Sequence, residues 1–339
     1  MLITRDKVRA MFLLTAIGDA LGMPVETWTK EMIEKEYGLI ADYHDPKDHK
    51  WYKGCAPGTW TDDTQLTLAV ARSLIRCKTF DMDDMANAHV VAMRESIRGW
   101  GGSTVDAVRK CGNGIHWSES GKTDKPNRGG GNGVVMKMAP LAVFLQASPK
   151  YLLESYRERI LMNFTYFTHH SRMALVSTMV QYAAIEYILG SFSFNPSDFL
   201  NEVLVTARNM EECLGVDCMK EDSMHIRIRN IIGGLDEELL NPATPHSIVS
   251  FFAGSGNCYV YESLPVALYL VAKNPYGMDA IYEAASYGGD TDTIAAIAGA
   301  LIGLINGTEI IPHHLISGLW RHNQILNVAD KFCDTFGID

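Results

Sequence analysis

The 339-residue sequence has few cysteines, no excess of positive charge and no long apolar run, and each absence argues against a class of protein. Its seven cysteines include no C-x-x-C pair, which argues against a zinc ribbon and a dense disulfide framework. An odd number of cysteines without paired spacing is typical of a protein from a reducing compartment. Lys and Arg total 30 against 40 Asp and Glu, and a formal charge of −10 does not suit a nucleic-acid surface.

The apolar stretches are too short to predict a membrane span. The N-terminus resembles a signal peptide only faintly, because its apolar run from Met11 to Ile17 has seven residues and ends at Gly18-Asp19. The later run from Ile294 to Ile305 has twelve residues and contains two glycines. We therefore expect buried helices at both places, no membrane partner and a cytoplasmic protein.

Helical spacing of apolar residues dominates the chain. After Thr61, apolar residues recur at i, i+3, i+4 and i+8, which places them on one face of a helix. No linker composition and no internal repeat divides the chain. We predict one all-α domain over 1–339. The segment 294–305 is apolar on nearly all sides, so we expect it to be the central helix. Helical patterns also cover 82–98, 172–189, 263–272 and 294–305.

Clusters of polar residues, glycine and proline predict loops between these helices. A short alternation at 248–252 is equally compatible with a strand or a helix extension. The charged loop 41–57 is either a solvated surface loop, which we favour, or a contact for a partner protein. The predicted loops are 41–59, 118–133, 191–198, 241–247, 253–258 and 273–278.

Two short acidic elements carry the strongest chemical signal: GTWTDDT at 58–64 and GGDTDT at 288–293. Each stands where a glycine-containing loop opens an apolar helix. Capping of the first helical turn explains either element alone about equally well. Four carboxylates brought together would repel strongly without a cation, and Asp and Thr oxygens suit Mg²⁺, Mn²⁺ or Ca²⁺ better than zinc. The pair therefore predicts a metal site wherever the fold brings the two elements together.

A third acidic element, GDALGMPVE at 18–26, contains two carboxylates with different expected roles. Asp19 interrupts an apolar helix, and a buried, hydrogen-bonded structural carboxylate is the favoured interpretation. Glu26 follows the proline that ends this helix. A carboxylate on a loop can approach a substrate or a metal-bound water, so Glu26 is the better functional candidate.

Glycine-rich segments at 99–104 and 129–133 could bring backbone N–H groups close to phosphate oxygens. Neither matches the P-loop or the dinucleotide-binding pattern, and a tight turn is the favoured interpretation of either segment alone. His169 and His170 could be ligands, hydrogen-bond donors to a substrate or structural side chains. Their spacing alone favours a structural role.

Taken in order along the chain, these elements resemble the ADP-ribosylglycohydrolase family. The combination of TDDT with GGDTDT is highly specific, and the matching segments are spread over most of the sequence. They are GDALGMPVE at 18–26, GTWTDDTQ at 58–65, GWGGST at 99–104, GNGVVMKMAPL at 131–141, TH at 168–169, GNCYVYESLPVAL at 256–268 and GGDTDTIAAIAGALIG at 288–303.

The resemblance implies an all-α orthogonal helical bundle with two divalent cations, Mg²⁺ or Mn²⁺. One departure is Lys137, which stands where the family more often has Arg and lacks its fork geometry. The implied metal ligands are Thr61, Asp62, Asp63, Asp290, Asp292 and Thr293. The candidates for proton transfer are Glu26, Asp62 and Asp63. The implied substrate-binding residues are Gly101, Gly102, Ser103, Gly129, Gly130, Gly131, Asn132, Gly133, His169 and Tyr259.

The activity that the resemblance implies is hydrolysis of ADP-ribose from modified protein side chains. The expected substrate is an ADP-ribosylated protein, most of all one with ADP-ribosyl-arginine, and the expected product is ADP-ribose. Two alternatives stay open: hydrolysis of O-linked ADP-ribose or a related substrate, and a non-catalytic ADP-ribose-binding protein. Loss of a metal ligand would indicate the latter, but all six ligand positions are filled.

Overall fold

A computed structural model describes residues 3–47, 49–125, 128–151, 153–217, 222–240 and 257–339. Within these ranges the chain forms sixteen α-helices and no strand, which confirms the all-α prediction. The helices are α1 (Arg5–Gly22), α2 (Lys30–Glu36), α3 (Asp62–Cys77), α4 (Met82–Glu95), α5 (Gly102–Gly112), α6 (Trp117–Ser120), α7 (Ala139–Ala147), α8 (Glu154–Thr168), α9 (Arg172–Gly190), α10 (Pro196–Cys213), α11 (Met224–Leu240), α12 (Val260–Lys273), α13 (Asp279–Ala285), α14 (Thr291–Asn306), α15 (His313–Gly318) and α16 (His322–Phe336). Short 3₁₀ helices cover Met23–Val25, Val135–Lys137, Pro149–Tyr151 and Thr308–Ile310.

Helices α1 and α14 form the centre of the fold, and they pack antiparallel with their backbones in direct contact. An ideal Cβ on Gly18 would lie 2.2 Å from the Ala295 carbonyl oxygen, and one on Gly299 would lie 2.1 Å from the Leu14 carbonyl oxygen. Side chains at these positions would force the helices apart, so glycine is required for the close approach. Helix α14 is buried from Thr291 to Leu304, as the sequence predicts for a central helix.

Two helices are long and apolar enough to cross a membrane by length and composition alone: Arg5–Val25, which includes α1, and Arg172–Gly190. Within their most apolar windows, 94% and 78% of the residues are buried inside the protein. Their apolar surfaces are therefore used in packing against the other helices, as in the core of a globular protein.

The helix boundaries differ from the predicted ones by a few residues. The segment expected to be helical over 82–98 ends at Glu95, because Ser96 takes an extended conformation. The loop expected over 191–198 ends early, since the Asn195 side chain accepts a hydrogen bond from the Asp198 amide and starts α10 at Pro196. The alternation at 248–252 and the loop 241–247 lie outside the described residues, as does most of the predicted loop 253–258.

Candidate active site

The N-terminus of α3 is held by a carboxylate from α1. Both oxygens of Asp19 accept hydrogen bonds from the Thr61 amide at 2.8 and 2.9 Å, and the Thr64 amide donates to Oδ2 at 3.0 Å. The Thr61 and Thr64 hydroxyls donate to the same carboxylate at 2.9 and 2.6 Å. Asp19 is thus the buried structural carboxylate that the sequence favours, and it fixes the TDDT element at the end of α1.

The N-terminus of α14 meets that of α3 at the same place. The Thr291 hydroxyl donates to the Gly22 carbonyl oxygen at 2.8 Å, which anchors the start of α14 to the end of α1. Across the junction, the Thr293 hydroxyl donates to Asp63 Oδ2 at 3.4 Å. The fold therefore brings together the two acidic elements, which are far apart in the sequence.

The carboxylates at this junction form two groups of three that share one member. Asp19, Asp63 and Asp292 have oxygens within 4.8 Å of one another, and so do Glu26, Asp290 and Asp292. We call these five residues, together with Asp62, the carboxylate cluster. Shared carboxylates of this kind are typical of sites for two neighbouring cations.

Burial dominates the electrostatics of the carboxylate cluster. It raises the pKa of Glu26 to about 8, with repulsion from Asp290 as the next cause. Burial and the neighbouring negative charges also raise the pKa values of Asp62, Asp63 and Asp292 well above the ordinary value. Without a bound cation, carboxyl groups buried this close together favour the protonated, neutral form.

The donor set fits divalent cations. It consists of carboxylate and hydroxyl oxygens, the ligands that Mg²⁺ and Mn²⁺ prefer. Asp63 Oδ1 is buried and has no hydrogen-bond partner among the residues that the structure describes, and a bound cation would satisfy it. Asp19 is a weaker candidate ligand than Asp63 or Asp292, because its two oxygens already accept five hydrogen bonds or more.

Glu26 lies on the loop after the 3₁₀ helix Met23–Val25 and is oriented by an aromatic loop. The Tyr52 hydroxyl donates to Glu26 Oε2 at 2.6 Å, and His49 Nε2 lies 2.9 Å from the Glu26 carbonyl oxygen. The rings of His49 and Tyr52 stack with their centroids 4.5 Å apart. No sequence motif marks His49 or Tyr52, and their place in the charged loop 41–57 was the available signal.

A cleft of about 1090 Å³ opens onto the carboxylate cluster and has two different walls. Thr61 and Asp63 are buried behind the cleft and do not line it. The acid wall consists of Glu26, Asp62, Asp290, Asp292 and Thr293. The glycine wall consists of Gly101, Gly102, Ser103, Gly130, Gly131, Asn132 and Gly133, and His169 and Tyr259 also line the cleft.

The glycine wall is held by bonds between its loops. The Asn132 amide donates to the Cys258 carbonyl oxygen at 3.0 Å, and the Asn132 side chain donates to Asp290 Oδ2 at 2.6 Å. Gly129 lies behind the wall, where its amide donates to Ser103 Oγ at 3.0 Å and its carbonyl accepts from Ser171 Oγ at 2.6 Å. Gly129 therefore shapes the wall rather than forming part of it.

Arg128 is a cleft residue that the sequence analysis missed. Its guanidinium packs flat on the start of α5, so that an ideal Cβ on Gly102 would lie 2.5 Å from Arg128 Cζ. The ion pair with Asp106 is long, at 3.6 Å, and 38% of the Arg128 side chain is exposed. Its position just before the glycine run was the available sequence signal.

The two histidines have different environments. His169 is buried and lines the cleft, whereas His170 is exposed and stacks on Tyr166 with ring centroids 4.2 Å apart. Burial lowers the pKa of His169 to about 3, and the charge of Lys137 adds to the effect. Lys137 itself is fully buried, so it is not positioned in the cleft to contact a phosphate. His169 is therefore neutral and available for hydrogen bonding.

Comparison with known proteins identifies the family. The sequence profile of the ADP-ribosylglycohydrolases matches residues 2–338, and the chain belongs to this family of ADP-ribosyl hydrolases. It is 24% identical to ADP-ribosyl-[dinitrogen reductase] glycohydrolase of Rhodospirillum rubrum, over 98% of each chain. It is also 24% identical to ADP-ribosylarginine hydrolase Tri1 of Pseudomonas putida, over 97% of this chain and 78% of the other. A solved structure, an ADP-ribosylglycohydrolase-related protein complex, superimposes with a TM-score of 0.67 at 25% identity over 98% of each chain.

Proposed function

We propose that this protein is a metal-dependent hydrolase that removes ADP-ribose from arginine side chains of modified proteins. The observation that carries the proposal is the pair of carboxylate groups sharing Asp292 beneath a cleft whose other wall is glycine backbone. The acid wall suits cations and a ribose, and the glycine wall suits a diphosphate.

Two divalent cations, when bound, would supply a nucleophilic water of lowered pKa, hold the ribose hydroxyls and stabilise charge developing on the ribose ring. Asp63, Asp290 and Asp292 would hold them, with Thr61 and Thr293 adding hydroxyl oxygens. Asp62 lines the cleft beside these ligands, so it would lie next to the reacting ribose.

The glycine wall would bind the diphosphate through backbone N–H groups. Gly101 is the N-cap residue of α5, and within the described part of the chain no side chain caps this helix, so its first-turn amides are available to an anion. Arg128 would add a positive charge beside Gly102. The neutral His169 and the Asn132 side-chain oxygen would hydrogen-bond the ribose part, and Tyr259, which packs on Gly130, would contact it from the same wall.

Glu26 is the favoured proton-transfer group. Asp63 is buried behind the cleft, whereas Glu26 and Asp62 line it. Glu26 stands on a loop at the cleft wall, where the Tyr52 hydroxyl orients its carboxylate at 2.6 Å, so it can take a proton from water and pass it on. In the reaction, water forms a bond to C1″ of the ribose, the bond from C1″ to the arginine nitrogen breaks, and the water proton passes by way of Glu26 to the leaving nitrogen.

Arginine is the favoured linkage for two reasons. The leaving group is a guanidinium, and its positive charge suits a cleft lined by Glu26, Asp62, Asp290 and Asp292. The similarity to the protein named ADP-ribosylarginine hydrolase extends over nearly the whole of this chain. The O-linked alternative differs only in a neutral leaving oxygen and uses the same two walls.

The test is release of ADP-ribose from an arginine-ADP-ribosylated protein, with Mg²⁺ or Mn²⁺ and with a chelator as control. We expect the chelator to abolish the release of ADP-ribose. We also expect release from a serine-linked substrate to be slower than release from the arginine-linked one. Preferred release from the serine-linked substrate would contradict the arginine assignment. Release that is unaffected by chelation, after removal of residual metal, would contradict metal dependence.

A further inference from the structure

Two large apolar side chains stand exposed at the mouth of the cleft. Trp51 is 55% exposed and Ile97 is 57% exposed, and both line the cleft. Other exposed apolar side chains, such as Phe192 at 96% and Leu153 at 64%, do not line it. Exposed apolar residues beside a binding cleft are typical of contact with a second molecule.

Contacts of the neighbouring residues place Trp51 and Ile97 beside the acid wall. Tyr52, the neighbour of Trp51, donates to Glu26. An ideal Cβ on Gly99 would lie 2.4 Å from Asp62 Oδ1 and 3.2 Å from the Tyr52 hydroxyl, so the loops that carry Trp51 and Ile97 meet beside the carboxylates. Arg128 packs on Gly102 and Tyr259 packs on Gly130, so both lie against the glycine wall.

A substrate that spans the cleft therefore has one end unaccounted for. In the proposed function the diphosphate would face Gly101, Gly102 and Arg128, and the scissile bond would lie over the carboxylates. The group on the other side of that bond, which carries the polypeptide, would then leave the cleft past Trp51 and Ile97. Lys50 lies 5.6 Å from the Trp51 ring, so this rim is apolar with a cation beside it.

We propose that Trp51 and Ile97 contact the polypeptide segment that flanks the ADP-ribosylated residue, and so make the enzyme prefer modified proteins to modified free amino acids. The inference rests on the proposed function. An apolar side chain next to the modified residue would pack on the Trp51 ring, and an acidic one would pair with Lys50.

Trp51 and Ile97 differ in their contact with the residues that hold Glu26. The Trp51 ring meets the rings of His49 and Tyr52 edge-on, with centroids 5.6 and 6.4 Å apart, and both of these residues hydrogen-bond to Glu26. Trp51→Phe keeps an aromatic ring at this place, and Ile97→Ala leaves the His49 and Tyr52 contacts intact, so Ile97→Ala tests contact with the substrate separately from the position of Glu26.

The experiment compares kcat/KM for two substrates, an arginine-ADP-ribosylated protein and free ADP-ribosyl-arginine. For Trp51→Ala and Ile97→Ala we expect kcat/KM on the modified protein, divided by kcat/KM on free ADP-ribosyl-arginine, to fall about tenfold. Trp51→Phe should retain most of the ratio, and Phe192→Ala, which removes an aromatic ring that does not line the cleft, should leave it unchanged.

An equal loss on both substrates would overturn the inference, because it would place these side chains on the ADP-ribose itself. An unchanged ratio would overturn it as well. Failure of the unaltered enzyme to hydrolyse either substrate would instead count against the proposed function. In that case binding of the modified protein, compared between the unaltered protein and Trp51→Ala, decides the rim's role.

Discussion

The acid wall and the glycine wall of the cleft differ in what they present and in how the fold builds them. The acid wall presents side chains from α3, from α14 and from the loop after α1, and its position depends on the close packing of three helix ends. The glycine wall presents mainly backbone, and its shape depends on hydrogen bonds between its loops, such as the one between Gly129 and Ser103.

The two walls also differ in their electrostatics, because buried carboxylates repel one another in the acid wall and the glycine wall has no such repulsion. Asp63 and Asp292 are almost completely buried with raised pKa values, so the acid wall is favourable only with protons or cations. The glycine wall needs no counter-ion, because backbone N–H groups carry partial positive charge only. Changes in the acid wall should therefore alter metal binding and chemistry, and changes in the glycine wall should alter substrate affinity.

Asp292→Asn should have the largest effect, because Asp292 belongs to both groups of three carboxylates. We expect kcat/KM to fall by roughly 10³-fold or more. The measurement is ADP-ribose release across a range of Mn²⁺ concentrations, together with Mn²⁺ binding by calorimetry. Because the amide removes a buried charge and keeps an oxygen for the Thr293 amide, the metal-free variant should be at least as stable as the unaltered protein. Full activity at low metal would contradict the two-cation site.

Gly299→Ala should break the helix packing that positions the acid wall. A Cβ at this position would lie 2.1 Å from the Leu14 carbonyl oxygen, so α1 and α14 must separate. We expect a loss of about 2–3 kcal/mol in the free energy of unfolding, measured by chemical denaturation. Gly233→Ala in α11 is the matched control, since its Cβ would meet none of the described residues within 4 Å, and the change should be neutral or stabilising. Equal effects of the two changes would contradict the packing argument.

The stability of the metal-free protein should depend on pH in the direction that raised carboxyl pKa values dictate. The pKa of Glu26 rises from 4.5 to about 8 on folding. Between these two pH values the folded state therefore binds more protons than the unfolded chain. The free energy of unfolding then falls as pH rises through this interval. Denaturation in chelator between about pH 5 and pH 8 measures the slope, which saturating Mn²⁺ should remove. A metal-free protein that becomes more stable toward pH 8 would contradict this account.

How much the sequence predicts differs between the two walls. The helical periodicity and the TDDT and GGDTDT elements predict the all-α fold and the residues of the acid wall. They do not reveal that Asp19 is engaged in fixing α3, because its partners Thr61 and Thr64 are adjacent to it only in the folded protein. Arg128, Tyr52 and Trp51 carry no motif, and their places depend on loop geometry that periodicity does not encode.

Arg128→Gln should have the smallest effect and should concern affinity alone. The change removes a positive charge that packs on Gly102 at the start of α5, while the carboxylate cluster keeps all its contacts. We expect KM to rise about tenfold with kcat and Mn²⁺ affinity unchanged, since one charge-assisted contact to a diphosphate is lost. Lys125→Gln is the control: Lys125 also pairs with Asp106, at 2.8 Å, but does not line the cleft. If Arg128→Gln lowered kcat and Mn²⁺ affinity together, the two walls would be coupled, and the division between a chemical wall and a binding wall would fail.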